Sequence, residues 1–156
     1  MTEYSFEDLI CIVSGSPITG YTDGDDVLQG RRREDAFSDI VGADGEMLVI
    51  HSPNKSGEFV MRLKQTSPSN KYLNDKFNLQ EAGSVAFAPV SVSFKNIRTG
   101  EKVEGVLGYI PKPAEITRGA GHNAMEWRIV VEDFKTILAD LQAISNIVAN
   151  IGGLLS

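Results

Sequence analysis

The spacing of apolar residues changes once between Gly57 and Gly83, and that change predicts two elements in succession. Phe59, Met61 and Leu63 are apolar, while Arg62 and Lys64 point the other way. This is the two-residue period of a strand with one face on a core and one towards water. Gln65 and Thr66 end the strand. Ser67 can then accept a hydrogen bond from a first-turn amide as an N-cap. Pro68 suits the first helical position, where an N–H would have no partner to lose. Leu73 and Phe77 fall four apart on one face beside Tyr72, and Gly83 supplies a stop. A covering helix is therefore predicted over about 67–82, laid on a sheet that contains the preceding strand.

Elsewhere the pattern predicts short strands separated by turns. Phe6 to Val13 reads as a first strand, apolar on both faces from Leu9 onward, and Gly15, Pro17 and Gly20 break it. Tyr21 to Asp26 is rich in turn residues, and a strand follows from about Val27 to Arg33. Glu34 to Gly45 reads as a long excursion holding the apolar pairs Ala36–Phe37 and Ile40–Val41. It ends at Asp44–Gly45, a tight-turn signal, and leads into a strand from Glu46 to His51. Val90, Val92 and Phe94 alternate with Ser91, Ser93 and Lys95. A hairpin at Arg98–Glu101 leads to a partner strand near Val103 to Ile110, and Pro111 and Pro113 deny continuation. Trp127, Ile129 and Val131 alternate with Glu126, Arg128 and Glu132. From Phe134 the period becomes three and four, predicting a C-terminal helix over about 134–151 that Gly152–Gly153 end. Turns spaced by about ten residues indicate an antiparallel meander. The expected fold class is mainly β (α+β), in a single domain over 1–156 with 34–45 as an inter-strand excursion.

Composition narrows the function. At 156 residues the chain can bury a proper core. Its 21 acidic and 15 basic residues give a net charge of −6. Holding nucleic acid by its backbone needs clustered Lys and Arg, so that class is disfavoured. The one basic cluster, Arg31–Arg32–Arg33, is followed at once by Glu34 and Asp35 and reads as a solvated or ion-paired strand end. Cys11, the single cysteine, sits in an apolar run and reads as a buried, inert thiol. The N-terminus has no cationic region ahead of an apolar stretch, and no run approaches the ~20 apolar residues that span a bilayer. The expectation is a protein made and folded in a cytoplasm, with no membrane partner.

Chemistry-bearing motifs do not assemble. Gly119 to Ala124 fits the glycine-rich dinucleotide pattern, but a proline-containing loop precedes it and a strand follows, where the mechanism needs a strand and then a helix N-terminus. Asp23, Asp25 and Asp26 miss the register of a calcium loop and read as a turn. His51 and His122 are far apart and lack metal-ligand spacing. Ser14–Pro17 is not a nucleophile elbow. The expectation is no enzyme: no catalytic, cofactor-binding or metal residue, and no cofactor.

Three segments, QTSPSN with the helix after it, GSPITGYTDGD and EDAFSDIVGADGE, together resemble the tube proteins of contractile phage tails. The resemblance extends more loosely to Glu126–Trp127 and Gly152–Gly153, although a helix over 136–151 departs from the family pattern. The resemblance implies an antiparallel β-sandwich or half-barrel of the tail-tube type. It implies six-fold rings stacked head to tail into the inner tube of a contractile tail, a virion structure assembled in the host cytoplasm, through which DNA passes on ejection. The implied partners are the chain itself, the tail sheath protein, baseplate and tail terminator proteins, and a tape-measure protein and DNA held in the lumen without specific binding. On this resemblance Ala36, Phe37, Ile40 and Val41 are expected at ring-to-ring contacts, and Lys71 and Lys76 on a sheath-facing helix. Two alternatives stay open: the tube of a phage-derived injection device carrying no DNA, and a monomeric ligand-binding β-barrel.

Overall fold

A computed structural model describes residues 5–83 and 89–138. After a single 3-10 turn at Phe6–Asp8, nine strands and one helix follow in the order β1 (Leu9–Val13), β2 (Ser16–Ile18), β3 (Leu28–Arg32), β4 (Phe37–Val41), β5 (Met47–His51), β6 (Gly57–Leu63), α1 (Pro68–Ala82), β7 (Val90–Asn96), β8 (Lys102–Tyr109) and β9 (Met125–Ile137). Seven strands form one antiparallel sheet in the order β2-β1-β7-β8-β9-β6-β3, and among the described residues β4 and β5 pair only with each other.

The sheet curls into a half-barrel. Phe59 on β6 meets Phe94 on β7 edge to face, with ring centroids 5.9 Å apart, and Phe134 at 5.4 Å. Gly30 on β3 is so close to both Phe94 and Val103 that an added Cβ would come within 3.2 Å of each. These strands are well separated in sheet order, so the sheet must bend back on itself. Glycines make the bend possible: a Cβ on Gly57 would strike Phe134 at 2.5 Å, and one on Gly105 would strike Val131 and Phe59. Phe59, Met61, Leu63, Trp127, Ile129 and Val131 fill the interior, as their two-residue period requires. Those side chains, with Phe94 and Phe134, occupy the volume that a ligand-binding barrel would keep open.

Helix α1 closes one end of the half-barrel. Ser67 is its N-cap, with Oγ accepting from the Ser69 N–H (3.2 Å) and donating to the Thr19 carbonyl (2.6 Å). Ser69 Oγ accepts from the Thr19 N–H (3.0 Å). Asn70 donates to the Lys64 carbonyl (2.8 Å) and accepts from the Trp127 indole N–H (3.0 Å). Leu73 is fully buried, and the Tyr72 hydroxyl donates to the Val13 carbonyl (2.9 Å). At the far end, the Gln80 amide pairs with both the N–H and the C=O of Ile110, as a neighbouring strand would.

Four sequence expectations need correction. The first strand begins at Leu9, and Phe6–Asp8 form a 3-10 turn capped by Ser5. Pro17 does not simply break the chain: it lies in β2, an edge strand, where its missing N–H is tolerated. The Glu34–Gly45 excursion contains a strand, β4, whose alternation the acidic residues hide. Phe134 to Ile137 continue β9, because Phe134 packs on Phe59 and the strand pairs with β8 as far as Lys102. The predicted helix over 134–151 therefore cannot begin there; its remainder, from residue 139 on, lies outside the described residues, as does the Gly152–Gly153 pair.

Candidate assembly surface

The chain between β3 and β6 leaves the half-barrel as the β4–β5 hairpin. At its base Arg32 pairs with Gly57, Arg33 N–H donates to the Ser56 carbonyl (3.0 Å), and the Arg32 guanidinium donates to the Asn54 carbonyl (2.9 Å). Ala36 then accepts from the Ser52 N–H, and the register runs Phe37–His51, Ser38–Ile50, Asp39–Val49, Ile40–Leu48 and Val41–Met47. Gly42 to Glu46 make the turn, where Asp44 Oδ1 accepts from the Glu46 N–H (3.1 Å) and Gly45 takes a positive φ of 85°.

Opposed residues share a face, so the hairpin has two readable sides. Phe37, Asp39, Val41, Met47, Val49 and His51 form one; Ser38, Ile40, Leu48 and Ile50 form the other. All ten are exposed: Phe37 is 63% and Leu48 64% accessible, and even Ile50 is 41%. A two-stranded ribbon is marginal in water without a covered face. This ribbon has two uncovered apolar ones.

The expected ring-contact residues are divided by the structure. Phe37 and Val41 lie together on one face, Ile40 lies on the other, and Ala36 is half-buried at the base. Met47, Leu48, Val49 and Ile50 complete both faces. Their run of consecutive apolar residues was the signal for this, since a strand apolar on both sides needs two partners. A second apolar run gives a weaker version of the same feature. In β1, Cys11 and Val13 face the core, while Ile10 (42% exposed) and Ile12 face outward, and no helix covers them among the described residues.

Lys71 and Lys76 both project from α1, but neither is a free cation. Lys71 Nζ lies 2.9 Å from Asp75, one turn on, and Lys76 Nζ sits 5.6 Å from the centre of the Tyr72 ring. On the outer face of the sheet, charges are paired across strands. Glu58, only 6% exposed, is held by Arg31 from β3 (2.5 Å) and Arg128 from β9 (2.6 Å). Burial would raise its carboxyl, but the hydrogen bonds and charges of Arg31 and Arg128 outweigh that and hold it below the usual range. Arg62 bridges Asp26 (2.7 Å) and Glu126 (3.1 Å). The arginine cluster is thus partly ion-paired, as expected, though its carboxylate is Glu58 and not the adjacent Glu34 or Asp35.

The remaining candidates stay apart. Gly119–Ala124 is a loop that runs into β9 with no helix after it. Asp26 is committed to Arg62, and His51 packs on Phe37 with ring centroids 4.9 Å apart. Among the described residues no group of three His, Cys, Asp or Glu side chains could hold a metal ion, and no helix is long and apolar enough to cross a membrane. Cys11 is buried, and desolvation, opposed only weakly by Tyr21, pushes its thiol up to about 11.

Residues 1–139 match the family described as bacteriophage PhiTE tail tube protein. No curated protein matches the sequence. Among solved structures, the chain is similar to the sheath/tube terminator of an extracellular contractile injection system, PVC, in the extended state (9% identity, 88% of this chain and 98% of that one, TM-score 0.62). It is similar to the tube terminating cap of the anti-feeding prophage, AFP (7% identity, 89% and 93%, TM-score 0.60). It is also similar to a chain of the PVC sheath-tube complex in the extended state (9% identity, 88% and 93%, TM-score 0.60). At these identities the likeness is one of fold: mostly β, antiparallel, with a packed helix.

Proposed function

The chain belongs to the bacteriophage PhiTE tail tube protein family, and from that premise we propose that it self-assembles into stacked six-fold rings forming the inner tube of a contractile tail. The tube is a conduit for DNA, built in the host cytoplasm and carried in the virion. Its partners are sister copies, the sheath around it, and baseplate, terminator and tape-measure proteins at its ends and within it. The role is structural, without catalysis.

One observation carries this reading: the β4–β5 hairpin has two apolar faces and no cover among the described residues. Burying side chains of this size stabilises by roughly 1.5–3 kcal/mol each when complete, so the hairpin has a strong tendency to find partners. Rings stacked head to tail through a protruding arm make a heterologous contact, which grows a filament when its rotation does not close. The hairpin, with Phe37, Ile40 and Val41, is accordingly the ring-to-ring contact. Paired charges on the sheet suit the same role, since arginines held by Glu58, Asp26 and Glu126 are less available to grip phosphate.

Negative-stain imaging of the purified full chain tests the proposal, with a variant in which 36–51 is replaced by two glycines as control. The expected result is hollow tubes from the first and, from the second, folded protein without long tubes. A full chain that stays monomeric at high concentration, or a variant with tubes of unchanged length, overturns it. A second reading, the tube of an injection device that carries no DNA, is favoured by the fold shared with the PVC and AFP chains. Neighbouring capsid and terminase genes would exclude it.

A further inference from the structure

The hairpin is acidic as well as apolar. Glu34, Asp35, Asp39, Asp44 and Glu46 lie in or beside it, and no Lys or Arg occurs between Glu34 and Asn54, so it carries most of the chain's net charge. Asp39 is the telling residue. It stands in the middle of the face formed by Phe37, Val41, Met47 and Val49, opposite Val49, and makes no ion pair among the described residues. A carboxylate centred in an apolar face becomes costly once that face is covered, unless the covering surface brings a cation to it.

The outer face of β1-β7-β8-β9 has the complementary composition. Its registers place Ile10, Lys95, Lys102 and Ile137 in one row, and Ile12, Ser93, Glu104 and Lys135 in the next. Glu104 pairs with Lys102 (3.0 Å), while Lys95 and Lys135 make no ion pair among the described residues. Ile10 and Ile12 are exposed beside Lys95 and Ser93, so this face offers an apolar ridge, a small-residue gap and an ammonium unpaired among the described residues. The side chains on one strand face repeat at about 6.6–6.8 Å on both surfaces, so Phe37 and Val41 can straddle the position that Asp39 gives to a lysine.

Resting on the tube reading above, we infer that the Asp39 face of the hairpin seats on the Ile10–Ile12–Lys95 face of a second copy, with Asp39 paired to Lys95. Phe37 and Val41 lie about 13 Å apart on either side of Asp39, twice the spacing of Ile10 and Ile12, so one of the two covers that isoleucine pair and the charge pairing fixes the register of one copy on the next. Complementary charges of this kind select the correct docking more than they add affinity, because like charges brought together there cost several kcal/mol.

Charge reversal tests it on the full chain. Asp39→Lys and Lys95→Asp should each raise the concentration needed for polymerisation at least about tenfold at low salt, with melting temperatures unchanged because both residues are exposed. The double variant Asp39→Lys/Lys95→Asp should polymerise within about threefold of wild type. Single variants that polymerise like wild type, or a double variant no better than either single one, overturn the pairing while the tube reading stands. A wild-type chain that never polymerises overturns both.

Discussion

Asn70 uses both ends of its buried amide, one on the Lys64 carbonyl and one on the Trp127 indole. Asn70→Ala would strand the Trp127 indole donor in the core, while the Lys64 carbonyl keeps the Ser67 N–H (2.9 Å), so a loss of about 1–3 kcal/mol is expected in urea denaturation. Glu58→Gln acts through charge. It should cost about 1–3 kcal/mol at pH 7, less than a fully buried pair would, because both arginines are partly in water. The folded carboxyl titrates below its unfolded value of about 4.3, so its stabilisation is complete above that pH and disappears as pH falls through the folded pKa. The stability gap between wild type and Glu58→Gln should therefore be flat from pH 8 to 6 and narrow as pH falls below the unfolded carboxyl value; a gap that widens on acidification would refute the assignment. Residue identity made some of this legible beforehand. Ser67 and Pro68 announced the helix start through local rules, whereas the partners of Asn70 and Glu58 lie on distant strands that no local rule can name.

Among elements, α1 and β4–β5 show how far pattern reading reaches. Capping and spacing placed α1 within a residue of its observed ends, because both signals are contained in the helix itself. The segments GSPITG and QTSPSN interlock: Gly20 takes a φ of 77° and leaves no room for a Cβ against Ser67, while Thr19 bonds Ser67 and Ser69. Their sequence signature is thus a clasp between a loop and a helix start. For β4 the reading failed, since Ser38 and Asp39 interrupt the apolar run and the strand's only partner among the described residues is β5. In β9 the three-four spacing after Phe134 mimicked a helix because the strand shifts phase there: Val131 and Phe134 face inward, with Glu132 and Asp133 exposed between them. Helix α1 also carries a proposal of its own, as the sheath-facing element. Reversing Lys71 and Lys76 to Glu removes an exposed ion pair, puts a like charge beside Asp75 and removes an exposed cation–π contact, each worth about 1 kcal/mol or less. Tubes should persist and bind sheath protein at least about fivefold more weakly in co-sedimentation; unchanged binding would assign the sheath contact elsewhere.

At the scale of the molecule, one curled sheet plugged by a helix makes a body with its own core, and a ribbon uncovered among the described residues is hung on it. The pairing of Arg32 with Gly57 closes that body beneath the ribbon, so the half-barrel owes nothing to what the ribbon touches. Maturation and polymer growth are consequently separable in time. Ripe subunits can accumulate as a reservoir, and the onset of elongation is governed by whatever first gathers several of them side by side. Light scattering should then show a lag that shortens when sheared fragments of finished polymer are added, which would leave the cell in control of when, and on what foundation, each filament starts.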